Sequence, residues 1–333
     1  MLRTQVINQV IKPLYAKRWT WLVYLSGILL GLSGLDELPG ILVYLLTAAL
    51  LLFAVPHAAC DLYIPAWLIN PRWEKSPAYW ASIAMLFLLP NLLIVTLWLN
   101  LSDVMMVFFL AIVAWHWGTA DNYRLPLRSF RWLFLGIGRG CLIIGLPFFL
   151  QAEETAYWML MILERNQSLV IGILINIAPY LVALGITLEL LAPVFGYLFE
   201  KQRPSAEIKI HWIETLFLFA LFETASPMLG FIIYFLILHS GRQLVRLTRH
   251  LPDKRQIIVE ANTRLGTLLR LYKRSKLGLL ISLSCSIAFI AWVISRGYTF
   301  EESLLLYLLY FSGFLLPHLV LGLIIDLRKK VLN

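Results

Sequence analysis

The chain is poor in charge. Only 14% of its 333 residues are Asp, Glu, Lys or Arg, where a soluble domain carries roughly a quarter. With 60% hydrophobic residues and a mean hydropathy of +0.78, no soluble core of this size could hide the apolar surface. The bilayer must act as part of the solvent. Cysteine is scarce as well. Cys60, Cys141 and Cys285 lie far apart and form no CxxC pair, which argues against a disulfide framework or a thiolate metal site. The chain has no convincing internal repeat, no low-complexity segment and no linker long enough to part domains, so one integral membrane domain is expected over 1–333. The HxxxH and HxxHH clusters of a membrane di-iron desaturase are missing, and no Ser or Cys arrangement suits nucleophilic catalysis. Few charges interrupt the apolar runs beyond Arg139, Glu189 and Glu214. A transporter needs polar residues on several spans and often inverted repeats, so transport ranks low.

What the chain does have is apolar runs of membrane length. About twenty residues cross the hydrocarbon core as a helix, and ten candidates emerge: 19–34, 40–57, 78–100, 103–121, 131–150, 168–198, 209–224, 227–247, 277–296 and 302–327. Read as one helix, 209–247 would be about 58 Å long, nearly twice the ~30 Å core. Pro227 in ETASP cannot donate a backbone hydrogen bond, and a hairpin breaking there is the better reading. The expectation is an all-α polytopic bundle of about 8–10 spans.

The net charge of +9 follows this topology. With both termini inside, cytoplasmic segments collect the N-terminal Arg3, Lys12, Lys17 and Arg18, then Arg72 and Lys75, Arg124 to Arg131, Lys201 to Lys209, the basic stretch Arg242 to Lys276, and the final RKK. The opposite face collects acidic residues, with only Arg165 and Arg296 among the bases. The positive-inside rule accounts for this asymmetry, and anionic headgroups suffice as its partner. Nucleic acid is not expected. The basic stretch 1–18 lacks a cleavage site and reads as a cytoplasmic tail before a retained first span. Residues 248–273 read as a cytoplasmic amphipathic loop. The expected location is a bacterial or archaeal cytoplasmic membrane.

The six histidines are not scattered evenly. His57 (AVPHAACD), His116 (AWHWGTAD), His239 (LILHSGRQ) and His318 (LLPHLVLGLIID) all fall on even-numbered spans, in the inner half of the bilayer. His211 sits at the entrance of the seventh span and His250 in the basic loop. A lone histidine at a helix end is an ordinary interhelical hydrogen-bonding residue. Four at one depth, on helices able to surround one point, fit a divalent transition-metal site with imidazole ligands. Asp61, one turn after His57, and Asp121, five residues after His116, fit as carboxylates that orient such ligands, or simply as interfacial residues. Arg139, mid-span, calls for a partner in Glu189 or Glu214. Pro317 lacks an N–H and loosens the helix beside His318.

The motifs PHAACD, HWGTAD, HSGRQ and PHLVLGLIID, in that order between about residues 50 and 327, resemble the Brp/Blh family of membrane β-carotene 15,15′-dioxygenases. The resemblance implies cleavage of β-carotene at its central double bond into two all-trans-retinal, with O₂ and a non-haem ferrous ion, Fe(2+), held by histidines. A retinal-binding protein would be the downstream partner. His57, His116 and His239 match the family's ligand motifs. Its third motif resembles HxxxH, and here Gln243 stands in place of the second histidine. Three readings stay open: a three-histidine site, a site completed by His318, or a silent carotenoid or retinal binder. β-Carotene has no polar atom, so its site must be an apolar tunnel at bilayer depth. The chain's 19 Phe, 14 Tyr and 12 Trp could wall one.

Overall fold

In a computed structural model the described residues are 18–122, 125, 129–163, 167–201, 206–247 and 264–328. Nearly all of the expected tail 1–18, most of the expected loop 248–273, and His250 lie outside them. No strand occurs among the described residues. The helices are α1 (Arg18–Leu32), α2 (Pro39–Ala49), α3 (Val55–Asp61), α4 (Ile64–Ile69), α5 (Pro77–Asn100), α6 (Ser102–Asp121), α7 (Phe130–Leu150) and α8 (Ala152–Ile162). They continue with α9 (Leu169–Glu200), α10 (Ala206–Thr224), α11 (Pro227–Phe231), α12 (Ser240–Leu247), α13 (Arg264–Arg274), α14 (Lys276–Ser295), α15 (Phe300–Ser312) and α16 (Leu315–Arg328). Two π-helical stretches, Leu50–Ala54 and Ile232–His239, join α2 to α3 and α11 to α12.

Seven helices are long and apolar enough to cross a membrane: Gly40–Asp61, Pro77–Asn100, Ser102–Asp121, Phe130–Leu150, Leu169–Glu200, Pro227–Leu247 and Lys276–Ser295. An eighth span is the pair Glu302–Ser312 and Leu315–Ile325, bent by 48°. Two of the ten expected spans, α1 and α10, lie outside this set. The 15 described residues of α1 are about 22 Å long. The helix α10 carries Glu207, Lys209, Glu214 and Glu223, of which Glu214 is buried inside the protein. The protein is an all-α, multi-pass membrane protein.

The chain divides into two compact units, 1–44 with 106–160 and 165–238, and 45–105 with 161–164 and 239–333. In the first, α7 packs on α9 through small residues: a Cβ on Gly138 would lie 2.9 Å from the Gly185 carbonyl. Arg139 of α7 is fully buried and pairs with Glu189 of α9 at 3.3 Å, which decides between the two candidate partners. Glu189 also accepts from His211 Nε2 at 2.9 Å and from the Thr215 hydroxyl at 2.5 Å. Arg139 donates in turn to the His211 carbonyl and to Thr215.

The expected break at ETASP is present, and its backbone groups are served by side chains. Gln151 donates to the carbonyls of Phe222 and Ala225, the carboxylate of Asp36 accepts from the Ser226 N–H, and the Ser226 hydroxyl caps α11. Without such partners the bared groups would be costly at membrane depth. A Cβ on Gly230 would lie 2.5 Å from the Phe222 ring. Eight residues along one straight helix span about 12 Å, so the chain turns sharply here.

The second unit packs Cys60, Tyr63, Trp67, Phe87, Leu244 and Leu321 into one apolar core. Hydrogen bonds tie down the segment that follows His57. Tyr79 donates to the Leu62 carbonyl at 2.5 Å, the Gly278 N–H donates to the Tyr63 hydroxyl at 3.1 Å, and the Cys60 thiol meets Ser275 at 3.6 Å. These contacts fix the end of the helix that carries both His57 and Asp61.

Candidate metal centre

His57 reaches its place through an irregular helix. Pro56 has no N–H to give the Leu52 carbonyl four residues earlier, and the Tyr272 hydroxyl donates to that carbonyl instead, at 2.8 Å. The irregularity surfaces as the π-helical turn Leu50–Ala54 directly before α3. His239 is the last residue of the other π-helical stretch. Such inserted turns occur often at functional sites because they re-aim side chains without ending the helix. His318 lies on α16, just beyond the bend.

In the second unit three of the four singled-out histidines converge. His57 and His239 are buried, and their ring centroids lie 6.2 Å apart. The His57 and His318 rings are 4.6 Å apart. Nε2 of His57 is 3.3 Å from Nε2 of His318, and Nδ1 of His318 is 2.6 Å from Oδ2 of Asp61. Asp61 thus serves His318, which is 257 residues away, although it follows His57 by one helical turn. One donor atom from each of His57, Asp61 and His318 fits within a 4.8 Å cluster. Nδ1 of His57 is buried without a hydrogen-bond partner of acceptable geometry.

These residues fit a transition metal. Two imidazole nitrogens at about 2.0–2.1 Å from one ion stand about 2.9 Å apart in octahedral and about 3.4 Å in tetrahedral geometry. The observed 3.3 Å between the two Nε2 atoms falls in that interval, and it is long for an N–H···N hydrogen bond. A carboxylate on Nδ1 of His318 holds the proton there and makes Nε2 the unprotonated nitrogen, as metal-binding imidazoles require. Two imidazoles with a carboxylate are also the donor types of non-haem iron sites.

His116 and Asp121 belong to the first unit. His116 is buried on α6. Asp121 accepts a hydrogen bond from the Tyr234 hydroxyl at 2.8 Å. Trp117, the neighbour of His116, stacks on Phe235 at 4.5 Å and lies 6.3 Å from Phe231, so an aromatic cluster flanks this histidine. Gln243 is buried, and its side-chain oxygen accepts from Arg246 at 3.3 Å. His211 takes its place beside Glu189, in the ion-pair cluster of the first unit.

Sequence reasoning did not find the pairing of Asp61 with His318, nor the role of Tyr272. Pro56 was the available signal for the second, since a proline inside a helix always leaves one carbonyl in need of a donor.

No curated protein and no solved structure matches the chain significantly. The profile of the beta-carotene 15,15′-dioxygenase family matches residues 48–326, a stretch that contains all four intramembrane histidines and leaves α1 outside. On that match over most of its length, the chain belongs to the beta-carotene 15,15′-dioxygenase family.

Proposed function

We propose that the protein cleaves β-carotene at the central 15,15′ double bond with O₂, giving two molecules of all-trans-retinal. One carbon–carbon double bond breaks, and each aldehyde takes one oxygen atom, so no external reductant is consumed. The observation that carries this reading is the convergence of His57, His318 and Asp61 inside a member of this family. His57, His239 and His318 would hold a ferrous ion, with His116 as a further ligand on the strength of its HWGTAD motif. Bound there, the iron supplies the redox partner that lets triplet O₂ react with an unactivated polyene.

The chain's own side chains do the rest. Asp61 keeps the proton of His318 on Nδ1 and its ring in one orientation. Buried apolar neighbours such as Cys60, Ala54 and Leu244 keep water away from the imidazoles. The substrate offers no hydrogen-bonding atom, so it is recognised by shape and dispersion. The rings of Trp117, Phe231 and Phe235 fit that task beside His116. Substrate enters from the bilayer, and retinal passes to a retinal-binding partner. With α1 and α10 also crossing the bilayer, both termini face the cytoplasm in this reading, and reporter fusions at Lys75 and Asn333 should agree; a signal from the outer face at either site rejects it.

The reaction is tested by expressing the chain in a bacterial host that accumulates β-carotene and separating the extracted pigments. Retinal should appear with the native chain and vanish with His57→Ala. Unchanged β-carotene in both rejects the activity. One observation favours a second reading, a silent carotenoid or retinal binder: the Gln243 oxygen is engaged by Arg246, so it is not held free for a metal. Pigment that co-purifies intact with the native chain would select that reading.

A further inference from the structure

The bent span raises a question of aim. Pro317 has no N–H for the Gly313 carbonyl four residues earlier, and its ring crowds that carbonyl, so the helix cannot continue through this point. The Phe314 N–H turns to the Phe311 carbonyl and the Gly313 N–H to that of Tyr310. The Tyr310 carbonyl thereby exchanges its regular partner four residues on for the Gly313 N–H and keeps a lone pair for a second donor. The buried Asn91 of α5 donates to it through Nδ2 at 3.2 Å. Gly313 makes this approach possible, because a Cβ there would lie 2.6 Å from Asn91 Nδ2. Two more contacts hold α15 below the bend: Trp98 Nε1 donates to the Ser312 hydroxyl at 3.1 Å, and Ser286 meets Tyr307 at 2.7 Å. Beyond the bend, α16 carries His318 to Asp61. Before His57, too, a side chain from another helix donates to a carbonyl next to a proline irregularity, Tyr272 to Leu52.

We infer that Asn91 is a positioning residue: its bond to the Tyr310 carbonyl holds the span bent at Gly313, and the bend directs His318 onto Asp61 and His57. A carbonyl has two lone pairs, and at bilayer depth only a protein donor can take the second one. Pro317 breaks the helix with or without Asn91; without the Asn91 bond the bend loses its brace at Gly313, and the His318 ring moves away from its partners. The consequence for a metal rests on the ferrous-site reading; the aim of His318 does not.

The test has a part that needs no metal. In full-length protein with Cys60, Cys141 and Cys285 replaced by alanine, the pair Asp61→Cys and His318→Cys is treated in detergent with a short bifunctional thiol reagent. A cross-link is expected with Asn91 present, lost with Asn91→Leu and restored with Asn91→Gln, which keeps a donor amide. Equal cross-linking with Asn91→Leu overturns the proposal, and so does failure to cross-link with Asn91 intact in a chain that still elutes as folded protein. The second part titrates Co(II), as a spectroscopic probe, into the otherwise native chain. Asn91→Leu and His318→Ala should each weaken binding about tenfold or more, and the double variant should be no weaker than His318→Ala alone. Additive losses overturn the proposal. A native chain that binds no cobalt, beside a cross-link that depends on Asn91, sinks the metal reading and leaves the positioning role standing.

Discussion

Two clusters of buried polar side chains among the described residues are built differently. In the first unit Arg139, Glu189, His211 and Thr215 form a charge-balanced set: the full charge of the arginine meets a carboxylate at 3.3 Å, and both oxygens of Glu189 are engaged. In the second unit His57, His239, His318 and Asp61 form a set with several imidazoles for one carboxylate. Each set keeps buried nitrogen without a hydrogen bond of regular geometry, Nε and Nη1 of Arg139 in the first and Nδ1 of His57 in the second. What differs is the chemistry: a guanidinium can only donate, whereas imidazole nitrogens can bind a cation. Polarity at membrane depth therefore does not mark function by itself; several lone-pair donors gathered around one point do.

The comparison can be broken most forcefully at Glu189. Glu189→Leu leaves Arg139 charged and without its counter-ion, a change that costs about 3–5 kcal/mol. Thermal unfolding in detergent should show a large loss, while Arg139→Met together with Glu189→Leu should recover most of it. A single variant as stable as the native chain would mean that the pair has no structural role.

His57→Ala should behave in the opposite way. Iron retention and retinal formation should fall by at least about a hundredfold, equivalent to about 2.7 kcal/mol, while unfolding shifts by about 1 kcal/mol, the common value for a single substitution. Full iron content by metal analysis, with a large loss of stability, would make His57 a packing residue. Between these two lies Asp61→Asn, which removes the carboxylate from His318 and should weaken metal binding by about 10–100-fold. Asp121→Asn, by contrast, takes the acceptor from Tyr234, and parallel metal titrations of the two variants measure which aspartate matters more. His211→Ala belongs to the charge-balanced set: it should leave metal content untouched and cost about 1 kcal/mol for the lost hydrogen bond.

The smallest expected effect is at Gln243. On α12 it lies one turn beyond His239, and its oxygen is held by Arg246. Gln243→His releases that bond and adds an imidazole on the same helix face, so metal affinity should rise modestly and His318→Ala should become tolerable. Weaker binding in Gln243→His would show that the pairing with Arg246 supports the site.

Some of this was legible in the chain and some was not. Long apolar runs between basic clusters were enough for the bundle, because hydrocarbon thickness sets helix length and leaves few alternatives. The break before Pro227 was legible for the same reason that the bend before Pro317 was, since proline removes a definite hydrogen bond. The four histidines stood out because imidazole is rare at that depth. The identity of partners was not legible. Glu189 and Glu214 were equal candidates for Arg139 until the packing of α7 on α9 selected Glu189.

By itself, then, the sequence determined what the solvent is, which segments are helical, and which few side chains are out of place in lipid. Those properties follow from local composition and from the cost of baring polar groups to hydrocarbon. Only the tertiary structure decided that Asp61 serves His318 and that Asn91 and Tyr272 donate to carbonyls in the irregular segments before the histidines. Each of these contacts joins residues more than two hundred positions apart, and hydrogen bonds act over about 3 Å. No local pattern records which distant donor a fold will bring within that reach.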